Sequence, residues 1–143
     1  MDEKPNSAAG IVRGTARLIS DLGFRPLSEF KLISKRRADL MGLSKSGTFL
    51  MAEVKSCAAD FKSDSKWTSY LDYCDLFYFA VDEGFPTHIL PPEHGLIVAT
   101  PYEAEIVRPA RPFKMNGTRR KAQTLRFALA AAHRLQEITD PGF

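Results

Sequence analysis

The chain has 143 residues, 44% of them hydrophobic and 26% charged, which is enough apolar material for a single domain with its own core. Its formal net charge of +3 is too small to indicate nucleic acid by itself, so the placement of charge carries more than the total. The opening MDEKPNSAAG lacks the basic start and apolar run of a signal peptide, and no apolar stretch approaches the roughly 18 residues of a membrane span, so a cytoplasmic chain is expected.

In chain order, Ile11, Thr15, Leu18 and Leu22 recur at helical spacing with Val12, Ala16 and Ile19 beside them, predicting an amphipathic helix. Asn6 or Ser7 can cap its start, Gly23 can end it, and Arg13 and Arg17 fall on its exposed face. RPLSEFKLIS predicts a first strand, and RRADLMGL and GTFLMAEVKS predict an antiparallel hairpin turning near Ser46 and Gly47. DSKWTSYLDYCD places Trp67, Tyr70, Leu71 and Cys74 at helical spacing, and LFYFAV has the continuous apolar character of a strand buried on both faces. After the proline-punctuated loop FPTHILPPEHG come a strand in GLIVAT and an edge-like strand in YEAEIVRP. RPARPFKMNGTRRK is expected to be mobile, and a final helix from about Thr118 to Ile138 is expected to bury Leu125, Leu129, Ala132 and Leu135. The order is αβββαβββα, with no internal repeat.

Charge is unevenly spread. No Asp or Glu occurs from Ile106 to Gln136, whereas Arg108, Arg111, Lys114, Arg119, Arg120, Lys121, Arg126 and Arg134 all do. Such a run is usually a solvated face, but beside a phosphodiester-cleaving site it would track phosphates, with Arg36, Arg37, Lys114, Arg119, Arg120 and Lys121 as the DNA-binding candidates.

The chemistry lies in the hairpin. Glu53 and Lys55, two apart on a strand, share a face while Val54 points to the other layer, and Asp39 on the paired strand can lie alongside them. Two carboxylates taken out of water cost several kcal/mol per ion unless compensated, and a divalent cation with an ammonium group is a natural compensation. Mg²⁺ (or Mn²⁺) needs only one or two carboxylates, and a lysine beside the attacking water suits hydrolysis of a phosphodiester. Taken alone, Glu-x-Lys on a strand is more often a solvated face or a surface ion pair.

An isolated Asp on one strand of a hairpin, with Glu-x-Lys at the end of its partner and a helix before both, resembles the PD-(D/E)XK nuclease superfamily. The resemblance implies a restriction-endonuclease-like α/β (α+β) fold, a mixed central sheet flanked by helices in core order αβββαβ. It implies Asp39, Glu53 and Lys55 as catalytic residues, with Asp39, Glu53 and the Val54 carbonyl holding the metal. Ala38 stands where the motif has Pro, and the first helix lacks the acidic ligand of resolvase-like members, leaving Glu29 as the nearby substitute. Against the Gln and Tyr four residues apart of RecB-like nucleases, this chain has Lys66 and Tyr70. More narrowly, RRADL, AEVKS, DFKSDSKW and YLDYCDLFYFAV together resemble the MmcB family of bacterial DNA-repair-related proteins. This implies a role in repair with DNA as partner, while a homodimer, as in many resolvase-like members, stays open.

Of the other residues, Asp64 is expected to cap the helix after it rather than flank the metal as Asp60 could, and Trp67 to pack in the core rather than stack on a base. Cys57 and Cys74, without zinc-ligand spacing and too few for a disulfide framework, are expected to be packed thiols; His88 and His94 are expected in a loop, and His133 in a structural role. Three functions follow: a Mg²⁺-dependent deoxyribonuclease, a non-catalytic DNA-binding repair factor on the same fold, or an interaction domain whose Asp39, Glu53 and Lys55 form an ion-pair network.

Overall fold

The structure is a computed structural model that describes residues 7–142. Six strands form one mixed sheet in sequence order: β1 (Phe24–Lys31), β2 (Arg37–Ser44), β3 (Phe49–Val54), β4 (Leu76–Val81), β5 (Gly95–Ala99) and β6 (Ala104–Arg108). β3, β4 and β5 run parallel to one another and the other neighbours are antiparallel. The parallel centre is buried on both faces, as LFYFAV predicts for β4, and β6 is an edge strand, as YEAEIVRP predicts. The core order αβββαβ is the one the nuclease resemblance implies.

One face of the sheet is covered by α1 (Ala8–Asp21), whose Ile11 and Ile19 pack on Leu40, Leu50, Ala52, Tyr78, Ala80, Ile97 and Ala99. Ser7 accepts the N–H of Gly10 and caps the helix; Asn6, the alternative cap, lies outside the described residues. The buried stripe is Ile11, Gly14, Thr15 and Ile19 rather than one that includes Leu22, which is half exposed. Gly14 explains the rotation: a Cβ there would sit 1.9 Å from the Thr100 carbonyl oxygen, so the helix approaches the β5–β6 turn through its barest position. Arg13 and Arg17 are exposed as expected and lie against Tyr102, Arg13 over the ring at 5.7 Å and Arg17 donating to the carbonyl at 3.1 Å.

The opposite face holds Phe30, Met41, Phe49, Met51, Phe77, Phe79 and Leu96, covered by α3 (Gly117–Thr139) over Phe30 and Phe49 and by the connection from β3 to β4 over Phe77 and Phe79. Here the helical pattern misleads. The residues of α3 that reach the core are Gln123 and Phe127, the latter 5.5 Å from the Phe30 ring, while Leu125, Leu129, Ala132 and Leu135 are exposed. A single aromatic ring fills the space that a leucine stripe would otherwise occupy, and a buried Gln123 amide donates to the Tyr73 carbonyl at 2.8 Å, fixing that rotation.

The connection from β3 to β4 also departs from expectation. In place of one helix there is a short α2 (Ala58–Ser63), then a 3-10 helix over Trp67–Tyr73. Trp67 is a core residue, 5.1 Å from the Phe79 ring and 5.9 Å from the Phe77 ring, as expected. His94 lies in the loop before β5, as expected, and is buried edge-on against Trp67, which lowers its pKa. Cys74 is buried, which pushes its thiol pKa up, whereas Cys57 is exposed rather than packed. His133 sits on the surface 3.1 Å from Glu137.

The basic segment before α3, expected to be mobile, is held by one acid. Asp75, just before β4, accepts N–H bonds from Phe49 (2.8 Å) and Met115 (3.3 Å) and a bond from the Arg120 guanidinium (2.7 Å), while its carbonyl accepts from Phe113. Burial alone would raise the Asp75 carboxyl, but Arg120 and these N–H donors hold it below the ordinary range. Sequence offers no sign of this contact, which joins residues 45 apart.

Candidate active site

The β2–β3 hairpin turns where expected, through Gly47 at φ +85°, a left-handed conformation that glycine takes without strain. The pairing runs from Leu43↔Phe49 to Leu40↔Ala52 and stops there. Beyond it each strand offers an acid to the other's backbone: Val54 N–H donates to Asp39 Oδ2 at 2.8 Å, and Asp39 N–H donates to Glu53 Oε1 at 3.3 Å. The carboxylates thus replace the next rung of the ladder, satisfying amides that would otherwise be orphaned where the strands part. Leu50, Ala52 and Val54 point to the α1 side, and Glu53 lies on the other, alternating as the strand period requires.

Glu53 is 5% exposed and Lys55 7%, so both charged groups are buried in the end of the sheet. Burial, then the Asp39 charge, pushes the Glu53 carboxyl from 4.5 up to about 8, and Lys55 counters only part of the rise. This acid pair is therefore undercompensated by the protein itself. Each carboxylate spends one oxygen on a backbone N–H, so Asp39 Oδ1 and Glu53 Oε2 are hard donors suited to a divalent cation. Among the described residues no three His, Cys, Asp or Glu side chains cluster as a ready-made metal cage, so a cation here would take two carboxylates, a carbonyl and water.

Lys55 extends the pairing with β4 through its N–H to the Ala80 carbonyl, and its Nζ lies 2.5 Å from Asp64 Oδ2. Asp64 has two tasks. Its other oxygen accepts the Lys66 N–H at 2.7 Å, which braces the turn before the 3-10 helix and is not the helix cap expected of it, since the residue at that cap is Lys66 and no side chain bonds there; Lys55 and the backbone N–H groups outweigh burial and keep the Asp64 carboxyl below the ordinary range. Asp60 instead binds the Ser56 hydroxyl at 2.6 Å and stands apart from the acid pair. The grip of Asp64 on Lys55 has a single signal in the sequence, an acid nine residues downstream of the lysine.

The accessory candidates divide. Tyr70 is buried, donates its hydroxyl to the Arg37 carbonyl at 3.1 Å, and has its pKa pushed to about 12 by burial and by the Glu53 and Asp39 charges, so it stands beside the acid pair. Lys66 is exposed and makes its contact with Asp64 through its backbone. Glu29 is not brought to the site: it sits in β1 at φ +48°, between the pairs Ser28↔Leu40 and Phe30↔Ala38, and its exposed carboxylate binds Arg37 at 3.1 Å. A non-glycine residue in that conformation directly across from Asp39 is a local strain at the site's edge.

The proposed DNA contacts divide likewise. Lys114 and Lys121 are exposed and Arg36 is half-buried. Arg37 is exposed but paired with Glu29, and Arg119 lies 4.9 Å over the Tyr73 ring. Arg120 is not a surface cation; Asp75 and the Gly47 carbonyl hold its guanidinium, so its role is structural.

Comparison with known proteins places this geometry in context. The family model described as DNA repair protein MmcB-like matches residues 2–142. A protein of unknown function from Silicibacter pomeroyi has 42% sequence identity and a TM-score of 0.91, covering 100% of this chain and 97% of that one. A repair endonuclease from Pyrococcus abyssi has 21% identity and a TM-score of 0.34 over 55% of this chain and 38% of its own, a likeness too slight to bear on the site. No curated protein matches.

Proposed function

Because the chain belongs to the MmcB-like family of DNA repair proteins, we propose that it is a metal-dependent nuclease that hydrolyses phosphodiester bonds in damaged or branched DNA at Asp39, Glu53 and Lys55. The observation that carries this reading is the acid pair itself, two carboxylates bound to each other's strand at a hairpin end, with one of them buried and a lysine on the same strand.

Asp39, Glu53 and the Val54 carbonyl are the groups that would hold Mg²⁺ or Mn²⁺, which keeps several waters and does not require a full protein cage. When bound, the cation supplies Lewis acidity toward a phosphodiester oxygen. Lys55, presented by Asp64, places an ammonium where it can orient the attacking water and offset charge building on the phosphate. Tyr70 buttresses the acid pair through the Arg37 carbonyl. Lys114, Lys121, Arg36 and Arg119 supply the cations along which a DNA backbone would run.

A second reading, a DNA-binding repair factor without catalysis, draws on two observations: Asp64 already occupies the Lys55 ammonium, and no third acid joins Asp39 and Glu53 among the described residues. Calorimetric titration with Mn²⁺ and a cleavage panel of duplex, nicked, flapped and branched DNA separate the two. The nuclease reading expects cation uptake and cleavage, both lost in Glu53→Gln, and cleavage alone lost in Lys55→Ala. DNA binding with neither cleavage nor cation uptake supports the second, and undiminished cleavage by Glu53→Gln removes the site assignment.

A further inference from the structure

The exposed leucines of α3 are the largest departure from what the sequence pattern predicts, and they do not stand alone. Leu125 and Leu129, each 63% exposed, border a groove of about 800 Å³ whose other wall is the end of β1 and the residues after it, including Ile33 at 64% exposure. Arg119, Arg126 and Arg134 line the same groove. Its one acid among the described residues, Glu29, is bound to Arg37 through its side chain and to Arg134 through its carbonyl.

We infer that this groove is a docking site for an acidic amphipathic segment of a partner protein, whose apolar side chains seat on Ile33, Leu125 and Leu129 while its carboxylates meet Arg126 and Arg134. The charge of the rim selects the occupant. A second copy of this chain, docking groove to groove, would bring arginines against arginines in a stretch that has no Asp or Glu from Ile106 to Gln136. A nucleic acid would match the arginines but leave the aliphatic floor uncovered, because Ile and Leu offer neither a stacking ring nor a donor to phosphate, and Tyr73, the one aromatic ring that lines the groove among the described residues, already lies under Arg119. Leucines one helical turn apart flanked by cations are met by a chain that alternates apolar anchors with acids. Exposed leucines with no partner also cost solubility, and a docking role accounts for their placement. The site is separate from the acid pair, so this inference does not depend on the nuclease reading.

The test is selection of a randomised peptide-display library on the intact protein, with counter-selection on Leu125→Gln/Leu129→Gln, a change that removes apolar surface without adding charge and keeps helix propensity. The expected winners are net-negative peptides with spaced apolar residues. As free peptides they should bind at least about tenfold more weakly to the double variant and to Arg126→Glu, and weaken with added salt, while the double variant's duplex-DNA affinity stays unchanged. Winners that are neutral or basic, or that bind the double variant equally well, overturn the inference. So does a concentration-dependent dimer in sedimentation that the double variant abolishes, which assigns the face to a second copy, or loss of DNA affinity in that variant, which assigns it to nucleic acid. Unchanged circular dichroism and melting of the variants, expected for such exposed positions, exclude misfolding as the cause.

Discussion

Glu53→Gln removes the charge of the buried acid while keeping an oxygen for the Asp39 N–H, and its effect on stability has an unusual sign. Burial and Asp39 raise the Glu53 carboxyl from 4.5 to about 8, so the folded chain holds this proton more tightly than the unfolded chain does. Between those two values the folded state carries the extra proton, and stability therefore falls as pH rises, the reverse of the ordinary ion-paired carboxylate. At 1.36 kcal/mol for each unit of pKa, the full loss from this residue is roughly 5 kcal/mol once the pH exceeds about 8. Denaturant unfolding in the presence of a chelator, from about pH 5 to about pH 9, should show the wild type losing stability relative to Glu53→Gln by several kcal/mol. Asp39→Asn, which removes the second cause of the shift, should reduce the slope without abolishing it. Adding Mg²⁺ or Mn²⁺ at the alkaline end should return stability to the wild type and not to Glu53→Gln. Parallel pH curves for wild type and Glu53→Gln, within about 0.5 kcal/mol throughout, would refute the picture of a buried, undercompensated acid.

Two further predictions concern the seating of α3. Asp75→Asn leaves Arg120 without its anionic partner and should cost about 3 kcal/mol in unfolding free energy at neutral pH. Because the Asp75 carboxyl is held low, the wild-type advantage should be present above the ordinary carboxylate pKa and shrink as the pH falls through the depressed one, giving the two residues opposite pH signatures. Phe127→Ala should lower stability by about 3–5 kcal/mol, whereas Leu129→Gln two residues away should change it by less than about 0.5 kcal/mol; equal losses would mean that α3 packs in another rotation.

What the sequence made legible was set by period and by adjacency. The alternation of FLMAEVK places Glu53 opposite Val54 whatever lies around it, and the short loop at Gly47 fixes the register that brings Asp39 alongside. The leucine pattern of α3 failed because a helical stripe states which residues share a face and not which face meets the sheet; Phe127 and Gln123 decided that through contacts with residues far away in the chain. The 3-10 helix over Trp67–Tyr73 failed similarly, its spacing compatible with either helix until the Trp67 ring packs on Phe77 and Phe79. The long-range anchors, Lys55 to Asp64 and Asp75 to Arg120, join charges whose sequence positions carry no local pattern at all.

The mutual capping of Asp39 and Glu53 makes the site audible in a single proton. The amide hydrogen of Val54 is retained against exchange by the same Asp39 carboxylate that would also hold a cation, and the amide of Asp39 by Glu53 in the same way. Whatever draws either acid away from its amide loosens the hairpin's last rung and speeds the exchange of that hydrogen, and whatever steadies the pair slows it. Val54 thus serves as a spectator wired to the chemistry beside it, so the state of the acids can be followed in the backbone even when no substrate is present.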